Sequence, residues 1–158
     1  MINYHTPRFK TSEVARAAGL NPVTLRAYFA RGHFDVPGLD RAEADGDGLP
    51  NKFSLRDALL FAVAADLIAA GVSPSAAYRA GLQFAHTGTM DRLPAHLFPK
   101  GLTLLIHRPK SGHTKIIKSG VHLDLGKALA AVPEETRDPV IIVDLTNVHS
   151  IVRAALNV

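Results

Sequence analysis

The chain of 158 residues is 47% hydrophobic and 20% charged and contains no cysteine. This composition is typical of a folded globular protein, and the missing cysteines exclude disulfides and thiolate metal sites. The longest apolar stretch, residues 58–72, is interrupted by Asp66, and the N-terminal residues lack a signal-peptide core, so we expect a soluble cytoplasmic protein without a membrane partner.

Two short helices joined by a tight turn are predicted near the N-terminus. The first is expected to begin with Thr11 or Ser12 as its cap and to end at Gly19 in a left-handed conformation. Its buried stripe is predicted to consist of Val14, Ala15 and Ala18.

The second helix has the stronger start signal. Asn21 is a favourable N-cap, Pro22 suits the first helical position, and Leu20 and Leu25 have the spacing of a hydrophobic staple. Gly32 ends the helix. Its core-facing side chains are predicted to be Leu25, Tyr28 and Phe29.

Residues 35–52 are rich in Gly, Pro and Asp and predict a loop or a two-stranded wing. A capping box of Ser54 and Asp57 then starts a third helix over residues 55–70. A fourth helix begins after Ser73 and Pro74 and extends to about residue 84 or 86.

The C-terminal part has a different pattern. Residues 102–107, 114–118 and 139–145 are predicted strands, while residues 125–132 and 150–156 are predicted helices. The cap of the last helix is predicted near Thr146 or Asn147, or at Asp144 where the preceding strand ends. Gly and Pro residues in 89–101 indicate a linker. We therefore expect domains over 1–88 and 102–158, with 89–101 between them.

Residues 11–34 form the layout of a helix-turn-helix, and several motifs resemble the N-terminal DNA-binding domain of MerR-type transcription regulators. The similarity covers roughly residues 8–86. It is carried by Thr24, Leu25, Arg26, Tyr28 and Gly32 in the second helix, followed by Phe53, Ser54, Asp57 and Gly71. The resemblance implies a four-helix winged helix-turn-helix in the N-terminal half. With the strands and helices predicted after residue 101, we expect an α+β fold in which this domain precedes a small α+β domain of about three strands.

Two features depart from this family. The loop in the place of the wing is acidic, whereas the family's wing usually carries basic residues, so residues 35–50 are a candidate surface for a protein partner. The family's long dimerising coiled coil is also absent, so its inducer-sensing mechanism is not carried over.

A basic N-terminal end supports the prediction of DNA binding. Residues 1–34 carry Arg8, Lys10, Arg16, Arg26 and Arg31 against Glu13 alone, a net charge of +4. The predicted DNA-binding residues are Lys10, Thr11, Arg16, Asn21, Thr24, Arg26, Ala27, Arg31 and His33.

We expect sequence-specific binding of double-stranded DNA by a transcription regulator, with residues 21–32 in the major groove. Specific sites usually need two recognition helices, so a homodimer is expected through the C-terminal domain. Its exposed apolar surface is predicted from Ile141, Ile142, Val143, Ile151, Val152 and Leu156. The alternatives are an architectural DNA binder similar to phage excisionases or terminase small subunits, and a protein-interaction or ligand-sensing module.

No pattern predicts an enzyme, a cofactor or a metal site. The eight histidines have neither metal-ligand spacing nor cysteine partners, and no nucleophile or phosphate-loop motif occurs. Arg108, Lys110, Lys115 and Lys118 in the predicted hairpin are either a second phosphate-contacting surface or charges that protect a sheet edge.

Overall fold

The computed structural model describes residues 2–34, 52–132 and 138–158, and within them the expected mixed α+β fold is confirmed, with six helices and two small antiparallel sheets. The predicted wing lies outside the described residues except for its last residue. In chain order the elements are β1 (Phe9–Lys10), α1 (Thr11–Ala17), α2 (Pro22–Ala30), β2 (Lys52–Phe53), α3 (Leu55–Ala69), α4 (Pro74–Ala85), β3 (Leu102–His107), β4 (Thr114–Ser119), α5 (Leu125–Ala131), β5 (Ile141–Asp144) and α6 (Leu145–Ala155). Among these helices, none combines the length and apolar character needed to cross a bilayer.

The predicted cap of the first helix is wrong, and one of the predicted caps of the last helix is confirmed. Lys10, not Thr11 or Ser12, is the N-cap of α1, because the carboxylate at the third helical position reaches back and accepts the Lys10 N–H at 2.6 Å. The last helix begins at Leu145, and the prediction that Asp144 caps it is confirmed, because its carboxylate accepts the N–H of Asn147; the alternative caps Thr146 and Asn147 are wrong. The capping box of α3 is confirmed.

Helices α3 and α4 form the centre of the protein. Nearly every side chain in the first two-thirds of α3 is buried, which explains its almost wholly apolar sequence. Gly81 lets α4 approach closely, because a Cβ there would lie 2.8 Å from Cδ1 of Leu60. A larger residue at this position would push the two helices apart.

The three-stranded sheet has the order β4–β3–β5, and both pairings are antiparallel. Its central strand is covered on both faces. Leu105 packs into the large core with the helices, whereas Leu104 and Ile106 form a smaller cluster with Ile117 and Ala128. The alternation along β3 follows from the two-residue repeat of a strand.

Helix α6 packs against α1 and α3, so the C-terminal elements share one hydrophobic core with the N-terminal helices. Val143, Val152 and Leu156 are therefore buried within a single chain, with 7%, 1% and 9% of their surface exposed. This corrects the expectation that these residues present an apolar dimer surface; Ile151 is exposed, while Ile141 and Ile142 are partly buried. The domain boundaries at 88 and 102 stay a prediction.

The segment between α4 and β3 is fixed by Arg92, which is buried. Its guanidinium donates hydrogen bonds to the carbonyl oxygens of Gln83, Phe84, Thr87, Leu93 and His96 at 2.6–3.3 Å. Burial lowers the pKa of Arg92. Several of these carbonyls belong to the C-terminal end of α4, where the helix dipole favours a cation.

The N-terminal residues are tied to the C-terminal helix through Tyr4. Its hydroxyl is 2.9 Å from Nε2 of His149, and its ring centroid is 4.1 Å from that of His96. Burial, together with the charges of Arg153 and His96, lowers the pKa of His149 to about 4. The folded protein therefore favours neutral His149.

Replacing Arg92 with methionine removes five hydrogen bonds and retains much of the side chain's apolar contact. We expect Arg92→Met to lower the free energy of unfolding by about 3 kcal/mol, because the carbonyl oxygens that accept hydrogen bonds from the guanidinium lose their donor. Urea denaturation measures this change. Arg79→Met, at an exposed arginine on α4, is the matched control and should change stability by less than about 0.5 kcal/mol. A loss below about 1 kcal/mol for Arg92→Met would contradict the anchoring role.

Acidification should destabilise the fold through His149. Between pH 6.5 and about 4 the unfolded chain binds a proton at this histidine that the folded chain does not, so stability falls as the pH falls through this window. The expected loss is on the order of 2 kcal/mol after allowance for solvent screening. In urea titrations at several pH values, His149→Gln should show a weaker pH dependence than the wild type. His5→Gln, at an exposed histidine, should retain the wild-type dependence, and equal behaviour of the two variants would refute the assignment.

Candidate nucleic-acid interface

The turn between α1 and α2 is fixed by backbone hydrogen bonds. Gly19 has φ +70°, and the N–H of Leu20 donates to the carbonyl of Ala15 at 2.8 Å, so the predicted left-handed end of the first helix is confirmed. Oδ1 of Asn21 accepts the N–H of Val23 at 2.8 Å, which confirms the predicted N-cap. The turn therefore sets the direction in which α2 leaves α1.

The inner face of α2 is held by a hydrophobic contact and by aromatic rings. Leu25 is fully buried, and Phe29 has its ring centroid 5.8 Å from that of Phe53 and 5.6 Å from that of Phe61. Tyr28 packs against the ring of Phe34, which lies a few residues after the end of α2, with ring centroids 4.8 Å apart. This packing fixes the rotation of α2 about its own axis.

The opposite face of α2 is turned outward and carries small side chains with one arginine. Val23, Arg26, Ala27 and Ala30 follow the spacing that places residues on one helical face. Val23 is 67% exposed although it is apolar. Small side chains leave this face narrow, so the backbone can approach a partner closely.

The predicted site residues differ in their exposure. Lys10, Arg16, Asn21, Arg26 and Arg31 are exposed, whereas Thr11, Thr24, Ala27 and His33 are partly buried. Two of them already have structural partners. The side-chain oxygen of Asn21 accepts the N-cap hydrogen bond, so the side-chain NH₂ group remains available as a donor. Nδ1 of His33 lies 3.0 Å from Oγ of Ser75 on α4.

The structure adds Lys52 to the basic residues near α2. Lys52 is directly opposite Lys10 in the two-stranded sheet, and both are exposed, while their neighbours Phe9 and Phe53 are buried. A strand of two residues gives too little alternation for sequence to predict this pairing. Arg8, just before β1, is also exposed.

The basic residues of this surface are not neutralised by acids in the described ranges, where Lys10, Lys52, Arg16, Arg26 and Arg31 form no ion pair. Like charges opposite each other in a sheet are unfavourable. An anionic partner would relieve this repulsion, so the arrangement suits a surface that binds a polyanion.

The second basic surface predicted on the hairpin is only partly present. Arg108 is buried, and its guanidinium donates to the carbonyls of Val132 and Asp138, so it does not face phosphate. The reason is that these two loop carbonyls need donors inside the fold. Exposed positions on the hairpin are occupied by Lys110, Lys115 and Lys118.

In the described ranges, no group of three or more histidine and acidic side chains could hold a metal ion. No protein-family model matches the chain, and no curated protein has a similar sequence.

Proposed function

We propose that this protein binds double-stranded DNA in a sequence-specific manner, with the outward face of α2 in the major groove, and acts as a transcription regulator with a MerR-like winged helix-turn-helix. The observation that carries the proposal is the outward face of α2: an exposed helix face with small side chains and one arginine, on a helix whose opposite face is fixed in the core.

The major groove of B-DNA admits a single α-helix, and close approach requires that the inserted face be narrow. Ala27 and Ala30 meet that requirement. Arg26 supplies a group that pairs with the acceptors of a guanine edge, and Val23 supplies an apolar group of the kind that contacts a thymine methyl. The side chains of this face can therefore distinguish bases by direct contact.

Contacts with phosphate are proposed on both sides of α2. Lys10 and Lys52 lie together in the two-stranded sheet, Arg16 is on α1, and Arg31 follows the last turn of α2. Such contacts position a protein on the duplex without reading its sequence. Their number predicts a strong dependence of affinity on salt.

Helix α2 and the elements around it resemble the MerR-type domain in their order, which is a glycine-ended helix, a capped second helix and a Ser-capped third helix. The acidic segment between the second and third helices departs from that family. The acidic residues 35–50 lie outside the described residues. We propose that they contact a protein partner, because phosphates would repel them.

Removing Arg26 of α2 together with Arg31, which follows the helix, should abolish tight DNA binding. A duplex is first selected from a randomised library with the wild-type protein, and its affinity is then measured by fluorescence anisotropy. Arg26→Ala with Arg31→Ala should weaken binding by about 100-fold, since the loss of an Arg contact to a base or phosphate typically costs ~1–3 kcal/mol.

The charge-matched control is Lys100→Ala with Lys127→Ala, two exposed lysines away from α2 that remove the same charge. This variant should bind within about threefold of the wild type, as expected from weak, salt-screened long-range electrostatics. Equal losses in the two double variants would mean that only net charge matters, and failure to select any duplex would refute sequence-specific binding.

Val23 provides a test of readout that is separate from charge. We expect Val23→Ser to change the base preference at one position of the selected duplex while leaving low-salt binding of unrelated DNA unchanged, because the apolar contact to a thymine methyl is lost. The measurement is a second selection with the variant protein. Val121→Ser, at an exposed valine far along the chain, should select the wild-type sequence; an unchanged preference in Val23→Ser would exclude Val23 from readout.

A further inference from the structure

A cavity of about 270 Å³ lies between α4 and the turn of the β3–β4 hairpin. Its two walls come from parts of the chain far apart in sequence. One wall is a stripe of α4 at helical spacing, formed by Ala76, Arg79, Ala80 and Gln83. The other is formed by His107 at the end of β3 together with residues 112–114.

The cavity exists because the side chains facing the hairpin on α4 are small in the middle and polar at the edges. The small side chains of Ala76 and Ala80 form the apolar floor of the cavity. Arg79 and Gln83 lie at the edges of this floor. Across the gap, His113 is exposed at the turn, and Thr114 begins β4. No acidic side chain lines the cavity among the residues that the structure describes.

On the hairpin side of the cavity, His107 is a buried polar residue, with 1% of its surface exposed. Its Nδ1 is 2.8 Å from Oγ1 of Thr114, and within the described ranges its Nε2 has no hydrogen-bond partner. A buried polar atom without a partner costs free energy, which a bound group or a water molecule relieves. Burial lowers the pKa of His107, although the nearby Asp138 opposes this shift.

The acid that contacts the hairpin turn, Asp138, already has hydrogen-bond partners. The carboxylate of Asp138 accepts the backbone N–H groups of Lys110 and Ser111 at 3.0 and 2.9 Å. Burial raises the pKa of Asp138, but these hydrogen bonds and the charge of Arg108 outweigh it, so the pKa is lowered. By contrast, Arg79 makes no ion pair in the described part of the chain. The cavity therefore offers a ligand the uncompensated cation of Arg79, the amide of Gln83 and the exposed His113, while His107 is buried in its wall.

We propose that this cavity binds a small organic oxyanion whose charged group pairs with Arg79 and whose apolar part rests on Ala76 and Ala80. The volume exceeds what a bare oxyanion needs, which favours a metabolite-sized carboxylate or phosphate ester over an inorganic ion. The concave shape between two elements favours such a molecule over a nucleic-acid backbone. This proposal does not depend on DNA binding by α2.

The experiment is isothermal titration calorimetry of the full chain, without DNA and at constant ionic strength, with benzoate, phenyl phosphate and inorganic phosphate as probes. At least one organic probe should bind at least tenfold more tightly than inorganic phosphate. Tighter binding of benzoate would assign a carboxylate ligand, and tighter binding of phenyl phosphate a phosphate ester. If no organic probe binds better than inorganic phosphate, the proposal is overturned.

Two variants locate the site. Arg79→Gln should weaken binding of the better probe at least tenfold, whereas Lys118→Gln, which removes a charge from the hairpin outside this cavity, should leave it unchanged. Ala76→Leu fills the apolar floor without a change of charge and should also weaken binding at least tenfold. Thermal unfolding verifies that each variant is folded, and unchanged affinity in folded Arg79→Gln and Ala76→Leu would place the probe elsewhere and overturn the assignment.

Discussion

The placement of α2 depends on a cluster of aromatic rings centred on Phe34. This side chain is fully buried, with its ring centroid 4.7 Å from that of Tyr78 on α4 and 5.8 Å from that of Phe61 on α3. Aromatic pairs of this kind contribute ~0.5–1.5 kcal/mol each beyond burial. Because Phe34 follows α2 by only a few residues, it fixes the end of that helix to the α3–α4 pair and keeps the opposite face of α2 exposed.

The features that sequence predicted well are those with local causes. Asn21 and Pro22 start α2 because one side chain satisfies a free N–H and the other has no N–H to satisfy, and both effects act within three residues. Ser54 with Asp57 starts α3 for a similar local reason. The inward positions of Val14 and Leu25 likewise follow from helical periodicity.

The features that sequence missed depend on contacts between distant residues. The pairing of Lys10 with Lys52 joins strands too short to give a pattern, so this part of the candidate site was not found. The sequence predicts surplus apolar surface at Val152 and Leu156, whereas both side chains are buried in the core that α6 shares with α1 and α3. Periodicity reveals an apolar face but not the partner that covers it. A dimer, where one forms, needs a surface other than these side chains.

Helix α4 connects the two proposed sites and constrains how they can influence each other. Ser75 contacts His33 near the end of α2, and the adjacent Ala76 lines the cavity. A ligand changes DNA affinity only where it binds two arrangements of the connecting element with different affinities. Gly81 is in close contact with Leu60, so a shift of α4 along α3 would cost core packing. A ligand in the cavity is therefore expected to stabilise the helix in its present position and to leave the outward face of α2 as it is.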